Sequence, residues 1–534
     1  MSAAALVIRR EPLGGSPLAR AVVRGTAPAA WYDAVPANVD GWRARIERVR
    51  GDTTLQESLT ALLPAFAASG EAAARLARVR EGRGVVVTTG QQPGLFGGPM
   101  YTWTKALGAL ALAQSLEAAT GVPVAPVFWA ATDDADFAEA SHTVVAVTGG
   151  ARRLQMDPLG TEGAPMSHRP LGDVSEQLAV LANATGAAVR PDVIETVAAA
   201  YAEGATVGGA YVSLLRTMLE PLGIAVLDCS HPVVARCSEP LLRRALAGAG
   251  EVAAALHVRS EELIDGGYSP QVTEMADLSL VFERSATAKE RIPVASATGG
   301  ASWPRHPGAD LSPNVLLRPV VERAILPTVA YLAGPGELAY FAQVGAVADA
   351  LGVARPLAVP RWSVTVIEPH VQRILEDLQL EVDDFAIPYA VEGRLARVAM
   401  PAAATRALEE LRTTFDQRLD ALRVPMTPTL VPSEVLDGAR RDVQQRIQRL
   451  ERRLVAGVKR REQTLMQRIA TARGALFPFN KRQERALNGM PFLARHGPEL
   501  FDALQRDADA WAATVTGASS AIETGIASMD ARAH

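Results

Sequence analysis

The residues whose types and spacing suggest chemistry begin in the stretch 85–142 of this 534-residue chain. An apolar run at 85–89 leads into a glycine-rich turn, and a helix-like segment begins at Met100. A strand, a glycine turn and a helix in this order expose backbone N–H groups at the positive end of the helix dipole, where phosphates and carboxylates bind. The turn lacks the ending of a P-loop and the spacing of the dinucleotide fingerprint. The pattern therefore predicts either an anion site or a tight structural turn.

Side chains around this turn extend the candidate site. Gln91 and Gln92 add amides at the end of the predicted strand. Lys105 lies one turn into the predicted helix, where it reaches an anion or, in the simpler interpretation, is solvated. The candidate substrate- or nucleotide-binding residues of this stretch are Gln91, Gln92, Gly94, Gly97, Gly98 and Lys105.

An acidic cluster follows the next strand-like run. That run contains Trp129, and Asp134, Asp136 and His142 come after it. Carboxylates at a strand end bind an ammonium group, ribose hydroxyls or a metal. The alternative is that one aspartate caps a helix while the others are solvated. Three carboxylates in four residues, Asp133 included, favour a functional cluster. We predict catalytic roles for Asp134, Asp136 and His142, with Trp129 as a binding residue.

A third group lies farther along the chain. Arg318 stands between apolar residues, and it either clamps a carboxylate or phosphate in a fork or forms an ion pair with Glu322. Glu337, at a predicted helix start, binds ligand or complements the helix dipole. Arg361, at a strand end, has the same two interpretations as Arg318. We predict that Arg318 is catalytic and that Asn314, Glu337 and Arg361 bind substrate or nucleotide.

Two further patterns favour structural interpretations. Cys229, His231 and Cys237 have a spacing that fits no standard closed zinc site, so buried free cysteine is preferred and no metal site is predicted. The basic residues of 440–461 could touch RNA or an anionic ligand. Acidic residues interleave with them, however, which is typical of a solvated coiled-coil face. We therefore predict no nucleic-acid partner.

Composition narrows the class of protein. The chain is 48% hydrophobic and 21% charged, and its net charge is −4, which is ordinary for a globular protein and gives no global attraction for nucleic acid. The two cysteines favour a reducing compartment. The N-terminus has no apolar core long enough for a signal peptide, and no run reaches the roughly 20 apolar residues of a membrane span. These features predict a soluble cytoplasmic protein without a membrane partner.

A sheet is needed to bring the candidate residues together. Strand–turn–helix–strand units at 85–142 and 327–361 predict two halves of one doubly wound α/β sheet, in which ligands bind at the carboxyl ends of the strands. Beyond about residue 368 the chain becomes helical and charged. Prolines in 424–434 separate two predicted helices of an antiparallel hairpin, the second being one long helix at 433–473.

The length of the chain exceeds what one core accommodates, so several folding units are predicted. The predicted division is a catalytic core at 1–370 with connecting insertions at about 143–222 and 250–310, an antiparallel helical coiled-coil hairpin at 371–475, and a C-terminal segment at 476–534 that packs back on the core.

Several motifs match one known family in order and spacing. The most distinctive is TGQQPGLFGGPMY at 89–101. The other matching stretches are 126–130, 312–319, 327–331, 334–337 and 359–361, together with the single positions Asp134, Asp136, Phe137 and His142. Together they resemble the bacillithiol biosynthesis cysteine-adding enzymes, the BshC family of cysteine ligases, over most of the chain.

This resemblance implies a fold, a reaction and partners. It implies a Rossmann-like core related to class I aminoacyl-tRNA synthetases and a coiled-coil domain that mediates homodimerisation. The implied reaction joins L-cysteine to glucosaminyl-malate through an amide bond, which completes bacillithiol. An amide bond requires carboxyl activation, so the resemblance implies ATP, a cysteinyl-adenylate and, at most, Mg²⁺ bound with the ATP.

One position departs from the family pattern. Family members carry Glu-Asp-His-Asp after the tryptophan strand, whereas this chain has Asp133, Asp134, Ala135 and Asp136. If the histidine stabilises a transition state, its loss costs a few kcal/mol and slows the reaction. Two alternatives to the cysteine ligase remain open at this point, namely an aminoacyl transferase with another amine acceptor and a nucleotide-binding scaffold.

Overall fold

The computed structural model describes residues 6–275, 277–299, 303–423 and 432–518. Contacts separate these residues into two compact units. The larger unit contains 6–145, 153–366 and 484–518, and the smaller unit contains 146–152 and 367–483. Among the described helices, none combines the length and the apolar character that crossing a bilayer requires. This division into two units does not test the domain boundaries predicted at 370 and 475, which stay predictions.

The secondary structure is numbered in chain order. The described strands are β1 (Val7–Arg10), β2 (Val85–Gln91), β3 (Val124–Ala130), β4 (His142–Val147), β5 (Gly150–Gln155), β6 (Ala225–Asp228), β7 (Leu278–Arg284), β8 (Lys289–Pro293), β9 (Asp310–Pro313), β10 (Thr328–Ala333), β11 (Ala358–Pro360) and β12 (Val364–Ile367). The described α-helices are α1 (Pro17–Val23), α2 (Val39–Arg50), α3 (Thr53–Phe66), α4 (Gly70–Glu81), α5 (Met100–Thr120), α6 (Phe137–Ala140), α7 (Ser175–Thr185), α8 (Asp192–Ala200), α9 (Val207–Leu219), α10 (Pro232–Ala247), α11 (Ala249–Asp265), α12 (Val294–Thr298), α13 (Arg318–Ile325), α14 (Pro335–Ala350), α15 (Pro369–Leu378), α16 (Ala390–Val398), α17 (Ala402–Arg423), α18 (Ser433–Arg461), α19 (Gln463–Leu476), α20 (Gln483–Ala486) and α21 (Met490–Thr516).

The larger unit is built on a parallel sheet with the strand order β11-β10-β2-β3-β6. Residues of β2 and β3 are buried on both faces, as parallel strands between two helical layers require. The chain runs outward from β2 through β3 to β6, and it then returns to β10 and β11 on the other side of β2. The predicted α/β class with a parallel sheet is confirmed, and the reversal of strand order places a topological switch point between β2 and β10.

Helices cover both faces of this sheet. Val86 and Val127 face a core that includes residues of α10 and α14, whereas Val85 and Val87 face a core that includes residues of α2 and α5. Helix α5 connects β2 to β3 and is buried on nearly all sides, because α21 also packs against it. A helix enclosed in this way is apolar around its whole circumference, so a polar residue within it needs an internal partner.

A small antiparallel sheet, with the order β8-β7-β9, follows α11 in the chain. The strand predicted at 278–282 corresponds to β7, which extends to Arg284. In β8, Lys289 and Arg291 are separated by one residue, so they lie on the same face of the strand. This sheet therefore presents two cations on one side.

In the smaller unit, α17 and α18 pack against each other as antiparallel helices. Arg412 of α17 pairs with Glu451 of α18 at 2.5 Å, and Asp416 pairs with Arg440 at 3.3 Å. Residue numbers thus fall along α18 as they rise along α17, which is the arrangement of the predicted hairpin. Most of the predicted proline turn, 424–431, lies outside the described residues.

The prediction of one long helix at 433–473 is wrong. Helix α18 ends at Arg461, and Glu462 has φ −90° and ψ 52° before α19 begins. Helix α18 packs on α16 and α17, whereas α19 packs on α15. Because the two segments bury their apolar residues against different neighbours, the continuous apolar spacing does not produce one continuous helix.

Candidate active site

A cavity of about 710 Å³ lies at the carboxyl ends of β2, β3 and β10, and it is lined entirely by residues of the larger unit. Further walls come from β8, from the loop before α13 and from the start of α14. The polar and aromatic side chains that line it include Gln91, Gln92, Tyr101, Lys105, Trp129, Asp133, Asp134, Glu139, Lys289, Arg291, Asn314, Arg318, Glu337, Tyr340, Arg361 and Arg485. The sheet therefore brings together side chains from both predicted halves.

Lys105 occupies the floor of the cavity and is not solvated. Its Nζ donates to the carbonyl oxygen of Gly90 at 2.9 Å and to Oε1 of Gln91 at 3.3 Å, and it forms an ion pair with Glu337 at 2.8 Å. Only 3% of the residue is exposed. Burial lowers the pKa of Lys105, although Glu337 favours the charged form. The simpler interpretation from sequence is wrong because α5 is enclosed, which turns this side chain inward.

Glu337 has a structural role and faces the cavity. Its carboxylate accepts the backbone N–H of Gly334 and the hydroxyl of Tyr331, both at 2.5 Å, in addition to the ion pair with Lys105. Burial alone would raise the pKa of Glu337, but Lys105 and these donors hold it below its ordinary value. The charged carboxylate thus joins the start of α14 to α5 across the switch point.

Arg318 is buried at the start of α13. It forms an ion pair with Glu322, which was one of the two interpretations of its sequence position. It donates to Glu322 at 3.2 Å, to the hydroxyl of Tyr331 at 3.1 Å and to that of Tyr340 at 3.3 Å. Burial raises the pKa of Glu322 to about 7, although Arg318 favours its ionised form. Arg318 therefore lines the cavity with its hydrogen-bonding groups already engaged by protein partners.

Arg361 and Asn314 are also committed to protein contacts. Arg361 forms a two-pronged pair with Glu484, at 2.9 and 2.6 Å, and both side chains are buried. The Oδ1 of Asn314 accepts the backbone N–H groups of Leu316 and Leu317, which shapes the loop before α13. Both predicted residues line the cavity. The guanidinium of Arg361 and the Oδ1 of Asn314 are, however, bonded to protein groups that form the cavity wall.

The acidic cluster divides into a cavity group and a capping group. Asp134 lines the cavity and accepts a hydrogen bond from Nε2 of Gln92. Asp136 is exposed, does not line the cavity and caps α6 by accepting the N–H of Glu139 at 3.1 Å. His142 begins β4, with Nδ1 2.9 Å from the carbonyl oxygen of Ala138, and also lies outside the cavity lining. The structure therefore brings Asp134 and Gln92 together without Asp136 or His142.

Part of the glycine-rich turn is engaged in protein hydrogen bonds and close packing. The N–H of Gly97 is bonded to the carbonyl oxygen of Gly94 at 3.1 Å and to the hydroxyl of Tyr201 at 3.2 Å. Gly97 has a φ of 86°, and a Cβ there would lie 2.5 Å from Trp103. Gly94, Gly97 and Gly98 do not line the cavity. The N–H groups of Gly97 and Gly98 therefore already have protein acceptors, and the predicted ligand contact at these glycines stays a prediction.

Sequence reasoning missed the contribution of β8. Lys289 forms an ion pair with Asp133 at 2.9 Å, and the thiol of Cys229 donates to the same carboxylate at 2.9 Å. Burial opposes ionisation of Asp133, but Lys289 and Arg284 hold its pKa at about 2. A sequence signal for this contribution existed. Alternate residues of a strand share a face, so Lys289 and Arg291 of β8 lie on the same side.

Two cations of the cavity, Arg291 and Arg485, form no ion pair within 4 Å among the described residues, although Arg485 favours the ionised form of Glu139 electrostatically. Arg291 donates to the carbonyl oxygen of Ser279 and to Sδ of Met275, each at 3.1 Å. Trp129 Nε1 is buried and likewise lacks a hydrogen-bond partner among the described residues. Arg291 and Arg485 are therefore the cavity cations whose charge is not committed to an ion pair of the protein.

The Cys229, His231 and Cys237 group has structural contacts. Cys229 is buried against Asp133, and burial raises the pKa of its thiol. His231 accepts the N–H of Val233 through Nδ1 at 3.2 Å and caps α10. Within the described ranges, no group of three or more His, Cys, Asp or Glu residues could hold a metal ion.

The fold and the cavity define a class of protein, an α/β protein with a Rossmann-like sheet and a polar small-molecule site at its carboxyl edge. Residues 10–299 and 301–362 match the N-terminal Rossmann-like domain of bacillithiol biosynthesis BshC, and residues 364–512 match the BshC C-terminal coiled-coil domain. The chain belongs to the BshC family, which confirms the predicted resemblance.

Curated relatives are similar to the chain over most of its length. A protein of Koribacter versatilis named "Putative cysteine ligase BshC" is 35% identical over 455 residues, covering 82% of this chain and 84% of the relative. Proteins of the same name are 32% identical in Solibacter usitatus, with 83% and 86% covered, and 30% identical in Salinibacter ruber, with 80% and 81% covered. These names describe the relatives as ligases.

Proposed function

We propose that the protein is a ligase that joins L-cysteine to glucosaminyl-malate through an amide bond, the last step of bacillithiol biosynthesis. The observation that carries the proposal is the cavity at the switch point, which offers carboxylates without a cationic partner beside cations without a carboxylate partner. An amine and several carboxylates are the groups that the two substrates bring. Membership of the BshC family supports the same assignment.

The amine-binding side of the proposed site is formed by Asp134 and Glu139. Neither carboxylate has an ion-pair partner among the described residues, and both line the cavity. Partial burial raises the pKa of Glu139, and the nearby carboxylates of Asp136 and Asp134 raise it further. An attacking amine must lose a proton, and a carboxylate with a raised pKa is a suitable acceptor. Asp136 supports this side indirectly, since its N–H donates to Asp134 at 2.8 Å.

The anion-binding side is formed by Arg291 and Arg485. We assign the malate carboxylates of glucosaminyl-malate to these guanidinium groups, because each can present two parallel donors to a carboxylate. Lys105, Arg318 and Arg361 hold the wall behind them through their own carboxylate partners. Trp129 Nε1 adds a further donor.

ATP is part of this proposal, with Mg²⁺ carried on its phosphates. The guanidinium groups of Arg291 and Arg485, which form no ion pair among the described residues, fit a phosphate as well as a carboxylate. The N–H groups of Gly97 and Gly98 are less suited to a phosphate, because both already donate to protein oxygens. When bound, ATP would activate the cysteine carboxyl so that the amine can displace the activating group. The chain itself would orient the amine at Asp134 and exclude water from the cavity.

Location and assembly are also proposed. We place the enzyme in the cytoplasm as a homodimer formed through the α17–α18 hairpin, without nucleic-acid or membrane partners. Apolar side chains remain exposed on this hairpin, with Leu411 exposed by 52%, Leu450 by 45% and Val435 by 56%. Association of two hairpins would remove such side chains from water.

The test is reconstitution with ATP, L-cysteine and glucosaminyl-malate, followed by detection of bacillithiol by mass. Omission of each substrate in turn serves as the control, and competition with other amines separates this ligase from a transferase that uses another acceptor. Nucleotide binding without any cysteine-dependent product would instead favour a nucleotide-binding scaffold and overturn the proposal.

A further inference from the structure

One methionine contacts Arg291, one of the two cavity cations that form no ion pair among the described residues. The Sδ of Met275 accepts a hydrogen bond from Nη1 of Arg291 at 3.1 Å, and both residues line the cavity. The guanidinium of Arg291 also donates to the carbonyl oxygen of Ser279 at 3.1 Å and lies 5.9 Å from the ring centre of Phe282. A thioether is a weak acceptor, so this contact leaves Arg291 able to bind an anionic ligand.

Met275 also differs from the other described methionines in exposure. It is 56% exposed, whereas Met218 and Met466 are only half-buried. The buried methionines are Met100, Met156, Met166, Met400 and Met490. Oxidation of methionine by peroxide follows solvent access, so Met275 is the preferred target within the described chain.

We propose that Met275 is an oxidation site at which peroxide forms a sulfoxide that occupies Arg291 and weakens binding of anionic substrate in the cavity. The sulfur loses two electrons and gains one oxygen atom, while hydrogen peroxide is reduced to water. The consequence for activity rests on the proposed function, but the oxidation and its effect on Arg291 do not.

The competition follows from the chemistry of the two acceptors. A sulfoxide oxygen is a polar acceptor where the thioether sulfur was weak, and the flexible methionine side chain can turn that oxygen toward the guanidinium. A malate carboxylate or a phosphate must then displace it. One hydrogen bond changes an equilibrium by about threefold to tenfold, and this is the expected loss of affinity. Methionine sulfoxide reductases would restore the thioether.

The experiment begins with measurements that need no substrate. The full-length protein is treated with increasing hydrogen peroxide, and peptide masses report oxidation at each methionine. Phenylglyoxal, which attacks accessible guanidinium groups, then reports the labelling rate of Arg291. We expect Met275 to be oxidised before Met218 and Met466, and we expect labelling of Arg291 to slow about threefold to tenfold. Equal oxidation of the three methionines, or unchanged labelling of Arg291, would overturn the proposal.

Two variants make the result specific. Met275→Leu keeps apolar volume but cannot form the sulfoxide, so peroxide should no longer change Arg291 labelling. Met466→Leu, at a half-buried position of the smaller unit, should respond to peroxide as the unaltered chain does. A peroxide effect that persists in Met275→Leu would assign the change to another residue and refute the proposal.

A third measurement compares the activity of peroxide-treated and untreated enzyme for each variant. The expected result is a rise in KM for glucosaminyl-malate that a methionine sulfoxide reductase reverses. Absence of bacillithiol in every arm would refute the proposed ligase and leave the labelling result standing. Normal turnover with an unchanged KM despite full oxidation of Met275 would refute the oxidation site and leave the ligase standing.

Discussion

At the scale of residues, the cations of the cavity fall into two groups. Those with a carboxylate partner are Lys105, Lys289, Arg318 and Arg361. Arg291 and Arg485 have no carboxylate partner within the described chain. Removing a paired cation leaves a buried carboxylate uncompensated, which costs about 3–5 kcal/mol. Arg318→Ala would therefore destabilise the protein through Glu322, so the unpaired cations give the cleaner test of function.

Arg291→Ala is expected to lower kcat/KM for glucosaminyl-malate about 10-fold to 100-fold, because a hydrogen bond to a charged group contributes about 1.5–3 kcal/mol. Steady-state kinetics with saturating ATP and cysteine provide the measurement. Arg243→Ala is the matched control, since that guanidinium pairs with Glu239 on the surface of α10. An unaltered kcat/KM would remove Arg291 from the site.

Ala135 gives a second prediction at this scale. Ala135 lines the cavity and follows Asp134 in the chain, at the position where the resemblance described above implies a histidine. Ala135→His should raise kcat about tenfold or more if the imidazole stabilises developing charge. Single-turnover assays measure this effect, and Ala138→His, at an exposed position on α6, is the control. If both variants behave like the parent, this chain performs the step with other groups.

At the scale of elements, one buried ion pair fastens the small antiparallel sheet to the parallel sheet. Lys289 of β8 pairs with Asp133, which follows β3, and Arg284 of β7 donates to Ser230 at 3.4 Å after β6. Both contacts lie within the larger unit. Because Arg291 is on the same face of β8 as Lys289, this attachment also determines where Arg291 stands.

Asp133 makes the stability of that attachment dependent on pH. Its pKa is about 2, below the ordinary 3.8, so its ionised form is favoured in the folded protein. The contribution, about 2 kcal/mol, is fully present above about pH 4 and is lost as pH falls toward 2. Asp133→Asn should therefore lose this part of the acid dependence in urea unfolding measured from pH 5 to 3. Asp310→Asn, on the exposed side of the small sheet, should retain it.

At the scale of the whole molecule, the described chain consists of two units with different designs. The larger unit buries its sheet between helices and contains the cavity. The smaller unit contains the hairpin, whose ion pairs set the antiparallel register and whose apolar side chains are partly exposed. These exposed apolar residues are the surface at which the proposed dimer would form.

Leu411→Glu combined with Leu450→Glu should convert the proposed dimer to a monomer, because charge would have to be buried at the contact. Sedimentation equilibrium measures the change, and circular dichroism should show the helices intact because both positions are exposed within one chain. Thr413→Glu, at an exposed position of α17, is the control. A parent protein that sediments as a monomer would contradict the proposal directly.

The sequence by itself determined the parallel sheet and the family. Apolar runs bounded by glycine turns predicted β2, β3, β6, β10 and β11, because strands buried on both faces carry a strong local signal. Gln91 and Asp134 follow two of these runs and Trp129 lies within one of them, and the structure places all three at the cavity. Local pattern was sufficient here because strand ends in a parallel sheet meet at one edge.

Only the tertiary structure decided which side chains the cavity can use. Arg361 pairs with Glu484, 123 positions away, and Lys289 pairs with Asp133, 156 positions away. Such pairs depend on how distant elements pack, so no local spacing reveals them. The same packing buries Lys105 and brings the hydroxyl of Tyr201 to the N–H of Gly97 in the glycine turn. It also separates the predicted long helix into α18 and α19. A residue's type sets the chemistry available to it, but its neighbours in space determine whether that chemistry is used on a ligand or on the protein itself.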